Sequence, residues 1–130
     1  MKTAAVRFTS LICLAGSLAL LSACTGGQMT RGYIVVTGGD ANRGAEVIDQ
    51  YRCGACHVIP GIRDARGEVG PPLTGFGDRT FVGGEVPNTP QNLIQWIRSP
   101  KSIEPGTAMP DLGVTDQQAR DVAAYLYTLR

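Results

Sequence analysis

Two cysteines and a histidine in one short motif constrain this chain more than any other feature. The stretch CGACH, residues 53–57, holds two of the four cysteines and the only histidine among the 130 residues. Three kinds of chemistry use two thiols at this spacing: a redox-active dithiol, half of a zinc site, or the two anchors of a covalently attached haem. The rest of the chain has to distinguish between them.

The first residues have the pattern of an export signal. Lys2 and Arg7 precede an apolar run over residues 8–23, interrupted only by small or hydroxylated residues. A charged segment followed by such a run is typical of a signal peptide. The run is shorter than the roughly 20 apolar residues that a spanning helix needs, which disfavours a permanent transmembrane anchor. We predict that residues 1–23 are a signal peptide.

The signal ends in LSAC, residues 21–24, which resembles the lipobox of bacterial lipoproteins. In that family the cysteine is lipidated and the leader is cut just before it. The alternative is ordinary cleavage after a small residue, which would leave Cys24 as a stray thiol, an unusual feature of an exported protein. The resemblance implies that Cys24 anchors the mature chain to the periplasmic or outer face of a bacterial membrane, inner or outer.

Cysteine use and charge exclude several classes of protein. With Cys13 lost in the leader and Cys24 used as the anchor, only Cys53 and Cys56 remain, so no disulfide framework is available. The whole chain carries a net charge of +1. Removal of two basic residues with the leader would make it −1, and no basic cluster indicates a nucleic-acid partner.

The mature chain is predicted to be a tether followed by an all-α domain. Residues 24–39 are rich in glycine and indicate a flexible tether, with a short apolar run at 33–36 lying against the domain edge. Residues 60–88 are rich in glycine and proline and lack periodicity. A loop of that length is unusual in a compact domain unless it wraps a bound group.

Three helices are predicted in residues 40–130. The first begins after Asp40, a good N-cap. The second begins at Thr89-Pro90 and ends near Ser99, before a proline. The third follows Thr115, with a glutamine three residues later completing a capping box. Its buried stripe is expected at spacings of three and four, with these members: Ala119, Val122, Ala123, Leu126 and Leu129.

Haem attachment explains the CGACH motif better than the two alternatives. A structural zinc site needs four ligands, and the mature chain has no second soft pair. A thioredoxin-like dithiol needs a βαβ pattern, which is missing. In a covalent haem site, Cys53 and Cys56 each bond a vinyl group on the same edge of the porphyrin, and His57 lies under the iron as the proximal ligand.

The sixth ligand of that iron is a second histidine, a methionine or nothing. The chain has no second histidine, and Met109 is the only methionine in the predicted domain, because Met29 lies in the tether. A buried methionine is ordinarily core filler, but beside a haem Met109 becomes the best candidate. Histidine–methionine ligation raises the reduction potential. It also leaves no open iron position, so we expect an electron carrier and not an enzyme.

Four segments resemble class I (monohaem) cytochromes c, a family that the chain resembles over residues 40–130. They are GDANRGAEVIDQYRCGACH, GPPLTGFGDR, LIQWIRSPKSIEPGTAMPDLGVT and DVAAYLYTL. The resemblance implies that the Pro71 carbonyl accepts a hydrogen bond from His57. It also implies that Gly44 meets Tyr125 where the first and last helices cross, and that Trp96 lies beside the haem, although Trp96 can also be plain core.

The resemblance implies a lipid-anchored, monomeric carrier of single electrons. Its redox partners would be a donor complex and an acceptor such as a terminal oxidase, and the C-terminal part is similar to small cytochromes associated with such oxidases. Two alternatives stay open: a permanent haem subunit of an oxidase or dehydrogenase, and a haem sensor or peroxidase in which Met109 is not a ligand.

Overall fold

The structure, a computed structural model, describes residue 32 and residues 34–130. The predicted signal peptide, Cys24 and Met29 therefore lie outside the described residues. The α-helices are α1 (Ala41–Gln50), α2 (Pro90–Arg98), α3 (Pro100–Ile103) and α4 (Asp116–Leu126). Two short 3-10 turns span Cys53–Ala55 and Phe76–Asp78, and strands β1 (Phe81–Val82) and β2 (Val86–Pro87) form an antiparallel pair. The predicted all-α class is confirmed.

The three predicted helices begin where their caps indicated. Asp40, Thr89 and Thr115 are the N-caps of α1, α2 and α4, and each side chain accepts a hydrogen bond from the backbone N–H three residues later. Pro90 occupies the first position of α2, and Gln118 completes the capping box of α4. Each cap satisfies a backbone donor that the helix itself leaves free, so local chemistry sets these boundaries. Among the residues that the structure describes, no helix is long and apolar enough to span a membrane.

Two features of the fold were not predicted. The four-residue α3 follows α2 after a single residue, with Pro100 buried at its first position. One turn is too short to produce a periodic pattern, which explains why the sequence showed only three helices. The stripe predicted on α4 is also one residue too long: α4 ends at Leu126, and half-buried Leu129 lies beyond it. There the Leu129 carbonyl accepts a hydrogen bond of 2.8 Å from the Gly77 N–H.

Helices α1 and α4 cross in direct backbone contact at Gly44. A Cβ built at this position would collide with the backbone carbonyl oxygen of Asp121 and lie 3.0 Å from the Cβ of Tyr125. Glycine costs about 1 kcal/mol relative to alanine inside a helix, and here its missing side chain permits the crossing. The pairing of Gly44 with Tyr125 that the family resemblance implied is present.

A buried carboxylate joins the same two helices. Asp121 is 3% exposed, and its oxygens accept hydrogen bonds from Arg43 Nε at 3.0 Å and Arg43 Nη2 at 2.9 Å. The backbone N–H of Asp40 (2.8 Å) and Gln117 Nε2 (3.0 Å) donate as well. The hydrogen bonds from Arg43, above all, hold the pKa of Asp121 below its ordinary value. The network satisfies this buried charge and fixes the first turn of α1 on α4.

The residues just before α1 also pack on the domain. Val36 is buried, and Ile34 lies against the core. Gln117 Nε2 donates a hydrogen bond of 2.8 Å to the Gly38 carbonyl. Residues 34–36 form no strand. The exact beginning of the domain stays a prediction, but the last residues of the predicted tether are held against α4.

Candidate functional site

The CGACH motif forms a tight turn directly after α1. Arg52 adopts a left-handed conformation, with φ of 56°, and the 3-10 turn begins at Cys53. The carbonyl of Cys53 accepts hydrogen bonds from the N–H groups of Cys56 (3.2 Å) and His57 (3.0 Å). Both thiols are free and half-buried on this turn, and burial raises the pKa of Cys53. The turn thus presents two thiols and an imidazole from five consecutive residues.

The loop over residues 60–70 packs against this turn. Its backbone donates hydrogen bonds from Gly67 to the Gly54 carbonyl at 3.0 Å and from Gly70 to the Cys56 carbonyl at 2.8 Å. The Tyr125 hydroxyl of α4 donates a hydrogen bond of 2.7 Å to the carbonyl of Pro60. These contacts connect the CGACH turn to this loop, and the loop to α4.

The ring of His57 is positioned by two neighbours. Its Nδ1 lies 2.8 Å from the carbonyl oxygen of Pro71, which is the contact that the family resemblance implied. On the adjoining side is Gly70, where a Cβ would come 2.7 Å from Nδ1 and 2.9 Å from Nε2. A proton on Nδ1, donated to the carbonyl, leaves Nε2 unprotonated and available to a metal.

All six residues predicted to bind a cofactor line one cavity of about 510 Å³. Its walls include apolar side chains of α1, α2 and α4, and four of the six predicted residues contribute sulfur or imidazole groups. They come from the CGACH turn, the loop after it, α2 and the loop before α4. These residues are Cys53, Cys56, His57, Pro71, Trp96 and Met109. Cys24, the predicted lipidation site, lies outside the described residues.

The donor set of this cavity fits a haem. An imidazole and a thioether are a pair of axial ligands that haem iron takes, and the two thiols supply covalent attachment. The apolar walls suit a large apolar ring, and the volume lies within the range of about 300–1,000 Å³ that ligand cavities occupy. Within residue 32 and residues 34–130, no three His, Cys, Asp or Glu side chains are grouped to hold a bare metal ion.

Two further residues of the cavity had no role in the sequence interpretation. The guanidinium of Arg79 donates hydrogen bonds to the carbonyls of Pro72 and Thr74, and it lies 5.3 Å from the centroid of the Phe76 ring. A Cβ at Gly83 would collide with the ring of Trp96. A single arginine or glycine in a loop carries no periodic signal, so only the folded chain identifies these two.

Comparison with known proteins decides the family. The sequence profile described as Cytochrome c matches residues 41–130. The chain belongs to the cytochrome c family. It therefore binds one haem c covalently, and Cys53 and Cys56 are the thiols that attach it.

The chain is also similar to curated relatives of two kinds. Cytochrome c oxidase subunit 2 of Alkalihalophilus pseudofirmus is 37% identical over 93 residues, covering 69% of this chain and 26% of the relative. The same subunit of Bacillus sp. strain PS3 is 33% identical over 100 residues, covering 74% and 28%. Cytochrome c-type cyt cy of Rhodobacter capsulatus is 36% identical over 104 residues, covering 70% and 50%.

The chain thus spans about a quarter of each oxidase subunit and half of cytochrome cy. Family and relatives together assign haem-based electron transfer to this cytochrome c.

Proposed function

We propose that this cytochrome c is an exported, lipid-anchored carrier of single electrons. It would take electrons from a respiratory or dehydrogenase complex and pass them to an acceptor such as a terminal oxidase. Haem c, when bound, supplies an iron that alternates between the ferrous and ferric states. The observation that carries the proposal is that His57 and Met109 line the same cavity as the two attachment thiols. We assign His57 Nε2 and the Met109 sulfur as the atoms that would bind the haem iron.

Contacts around both ligands support this assignment. The hydrogen bond to Pro71 directs the proton of His57 to Nδ1, which leaves Nε2 to bind iron. The Met109 N–H donates to Thr107 Oγ1 at 3.2 Å, and the Gly106 N–H donates to Glu104 Oε1 at 2.7 Å. A loop held in this way can keep its thioether in place in both oxidation states. Two constant protein ligands keep reorganisation on electron transfer small.

The membrane anchor in this proposal is supported by the sequence. LSAC at residues 21–24 has the form of a lipobox. Eleven residues separate Cys24 from the buried Val36. As a flexible chain they would give a root-mean-square reach of about 20 Å. A domain on such a tether stays close to membrane partners, which raises its effective concentration there.

A second candidate function is a permanent haem subunit of an oxidase or dehydrogenase. Two relatives of this chain are named cytochrome c oxidase subunit 2, and this similarity favours the second candidate. The chain matches only about a quarter of the length of each. The two functions predict different behaviour on purification after detergent extraction. A carrier purifies alone as a monomer, whereas a subunit co-purifies in a fixed ratio with its enzyme.

The test of the proposed ligand set is the substitution Met109→Ala in the haem-loaded protein. We expect it to abolish the ferric charge-transfer band of a methionine–iron bond and to let the reduced protein bind carbon monoxide, because one iron position opens. Met29→Ala is the matched control, since Met29 precedes the domain, and it should leave both properties as in the wild type. An unchanged band in Met109→Ala would assign the ligand elsewhere. Carbon monoxide binding by the reduced wild-type protein at neutral pH would favour a sensor or peroxidase.

A further inference from the structure

The opening of the haem cavity is uncharged and exposed. We call it the mouth and define it as the exposed residues of the cavity lining: Val69, Pro71, Phe81, residues 83–84, Ala108 and Pro110. Val69 is 78% exposed and Phe81 is 50% exposed. Single exposed apolar residues are common on protein surfaces, but these two border the same opening. Large apolar side chains gathered at one site indicate a contact surface.

The charges that adjoin the mouth along the chain are all negative. Three charged residues directly neighbour mouth residues, and all three are exposed carboxylates: Glu68, Glu85 and Asp111. Within residues 34–130, none of the three forms an ion pair. A fourth carboxylate, that of Glu104, belongs to the cavity lining itself. We call Glu68, Glu85 and Asp111 the acidic border of the mouth.

Positive charge is sparse among the residues that line the cavity or adjoin the mouth along the chain. Arg79 is the basic residue of the cavity lining, and it is half-buried with its guanidinium on the Pro72 and Thr74 carbonyls and the Phe76 ring. The next basic side chain along the chain is Arg66, three residues before Val69. The mouth therefore combines an apolar centre with a net negative edge.

We propose that the mouth docks a redox protein whose contact surface is apolar at its centre and bordered by lysine or arginine side chains. This inference rests on the proposed carrier function and specifies the chemistry of its partner. Opposite charges at the edge steer the encounter and orient the two proteins. The apolar centre then excludes water between the redox groups. A second copy of this chain does not fit, because it would bring one acidic border against another.

The test measures electron transfer from the full-length, haem-loaded protein in detergent to two small oxidants. One is tris(1,10-phenanthroline)cobalt(III), a cation with an apolar surface, and the other is hexacyanoferrate(III), an anion. Each takes one electron from the ferrous haem, giving cobalt(II) or hexacyanoferrate(II) and ferric haem. We expect the second-order rate constant to fall with ionic strength for the cobalt complex and to rise for hexacyanoferrate, because salt screens attraction in one case and repulsion in the other.

Removal of the acidic border should change both reactions in opposite directions. The triple variant Glu68→Gln, Glu85→Gln and Asp111→Asn loses three negative charges. It should slow the cobalt reaction on the order of tenfold at low ionic strength. The difference should vanish near 1 M salt, where the Debye length is about 3 Å. Asn at position 111 keeps the side-chain oxygen that accepts from the Gly113 N–H at 3.1 Å.

A matched triple variant removes three negative charges elsewhere. Glu46→Gln, Asp49→Asn and Asp64→Asn change exposed carboxylates of a separate surface groove, and none of these residues lines the haem cavity. At about 0.1 M salt, where the Debye length is about 10 Å, this control should change either rate constant by less than about twofold, because charges outside the contact surface are then largely screened. The substitution Val69→Ser should slow the cobalt reaction without altering its salt dependence, since it removes apolar contact and no charge.

Three results would overturn this docking surface. The first is an equal effect of the two triple variants, and the second is a rate constant for the cobalt reaction that rises with salt. The third is a wild-type dimer that the border variant disrupts, because this would assign the mouth to a second copy of the chain. Failure of the carrier proposal looks different. It would show as carbon monoxide binding by the same reduced wild-type sample, which would contradict the ligand set. A rate constant for the cobalt reaction that still falls with salt would support the docking surface even then.

Discussion

The imidazole of His57 lies between a backbone carbonyl and a position that has no room for a side chain. Pro71 accepts the hydrogen bond at 2.8 Å, and Gly70 lets the chain pass beside the ring. A hydrogen bond from Nδ1 sets the tautomer and orientation of a ligating histidine. The orientation of the His57 ring therefore depends on Gly70 and Pro71, which follow it by more than ten positions.

At this scale we predict the effect of Gly70→Ala. The added methyl group would overlap the His57 ring, so the ring must move and the bond to Pro71 must weaken. We expect a partly high-spin ferric spectrum and a loss of stability of about 1–3 kcal/mol, typical of an overpacked site. Optical and electron paramagnetic resonance spectra measure the first effect, and denaturant unfolding measures the second. Gly32→Ala is the control, because a Cβ there meets nothing within 4 Å; equal behaviour of the two variants would contradict the prediction.

At the scale of elements, the crossing of α1 and α4 holds the two ends of the domain together. Gly44 allows the backbones to touch, and the Asp121 carboxylate collects hydrogen bonds from Arg43, Asp40 and Gln117. The haem attachment turn begins just after α1. The crossing therefore positions the start of that turn relative to α4, whose Val122 and Leu126 line the haem cavity.

The second prediction concerns Asp121→Asn at different pH values. At neutral pH the variant should be less stable by about 2 kcal/mol, because charge-assisted hydrogen bonds to a buried group are lost. The folded state lowers the pKa of Asp121, so its contribution is complete above the ordinary aspartate pKa of about 4 and is lost as pH falls through the folded value. The stability difference between wild type and variant, from urea unfolding, should therefore shrink as the pH drops below about 4.

The control for this prediction is Asp116→Asn. Asp116 pairs with Arg98 and Arg120, and its side chain is 47% exposed. An exposed pair contributes about 0–1 kcal/mol, so this variant should lose little stability at neutral pH. A loss as large as that of Asp121→Asn would show that burial of Asp121 has no special effect.

At the scale of the whole molecule, the proposed anchor and the domain are connected through a short length of chain. Val36 is buried in the core, and the Gly38 carbonyl accepts a hydrogen bond from Gln117 of α4. The residues just before α1 are therefore fixed on the domain. Any freedom of the domain relative to a lipid on Cys24 would come from the residues between them.

The third prediction follows from the lipobox. Cys24→Ser should release the haem-loaded protein from the membrane fraction into the soluble fraction, because no thiol remains for lipidation. Its visible spectrum should not change, since the haem site lies in the domain. Cys13→Ser is the matched control: this cysteine belongs to the predicted leader, so the protein should stay in the membrane fraction. A wild-type protein that carries no acyl groups on Cys24, as measured by mass spectrometry, would contradict lipid anchoring.

The sequence alone determined the features that depend on neighbours along the chain. The CGACH motif indicated covalent haem because two thiols and an imidazole within five residues suffice for that attachment. Caps at Asp40, Thr89 and Thr115 predicted helix starts because a cap bonds a backbone group three residues away. Met109 was selected by elimination, since the predicted domain has no other methionine and no second histidine.

Only the tertiary structure decided which distant residues share the cavity and what surrounds its mouth. Gly70 beside His57, Gly83 beside Trp96 and Arg79 in the lining depend on contacts across loops that have no periodic pattern. The acidic border likewise consists of three residues that are far apart in sequence, and they form one feature because the loops meet around the cavity. Such groupings arise from packing in space, and no local pattern encodes them.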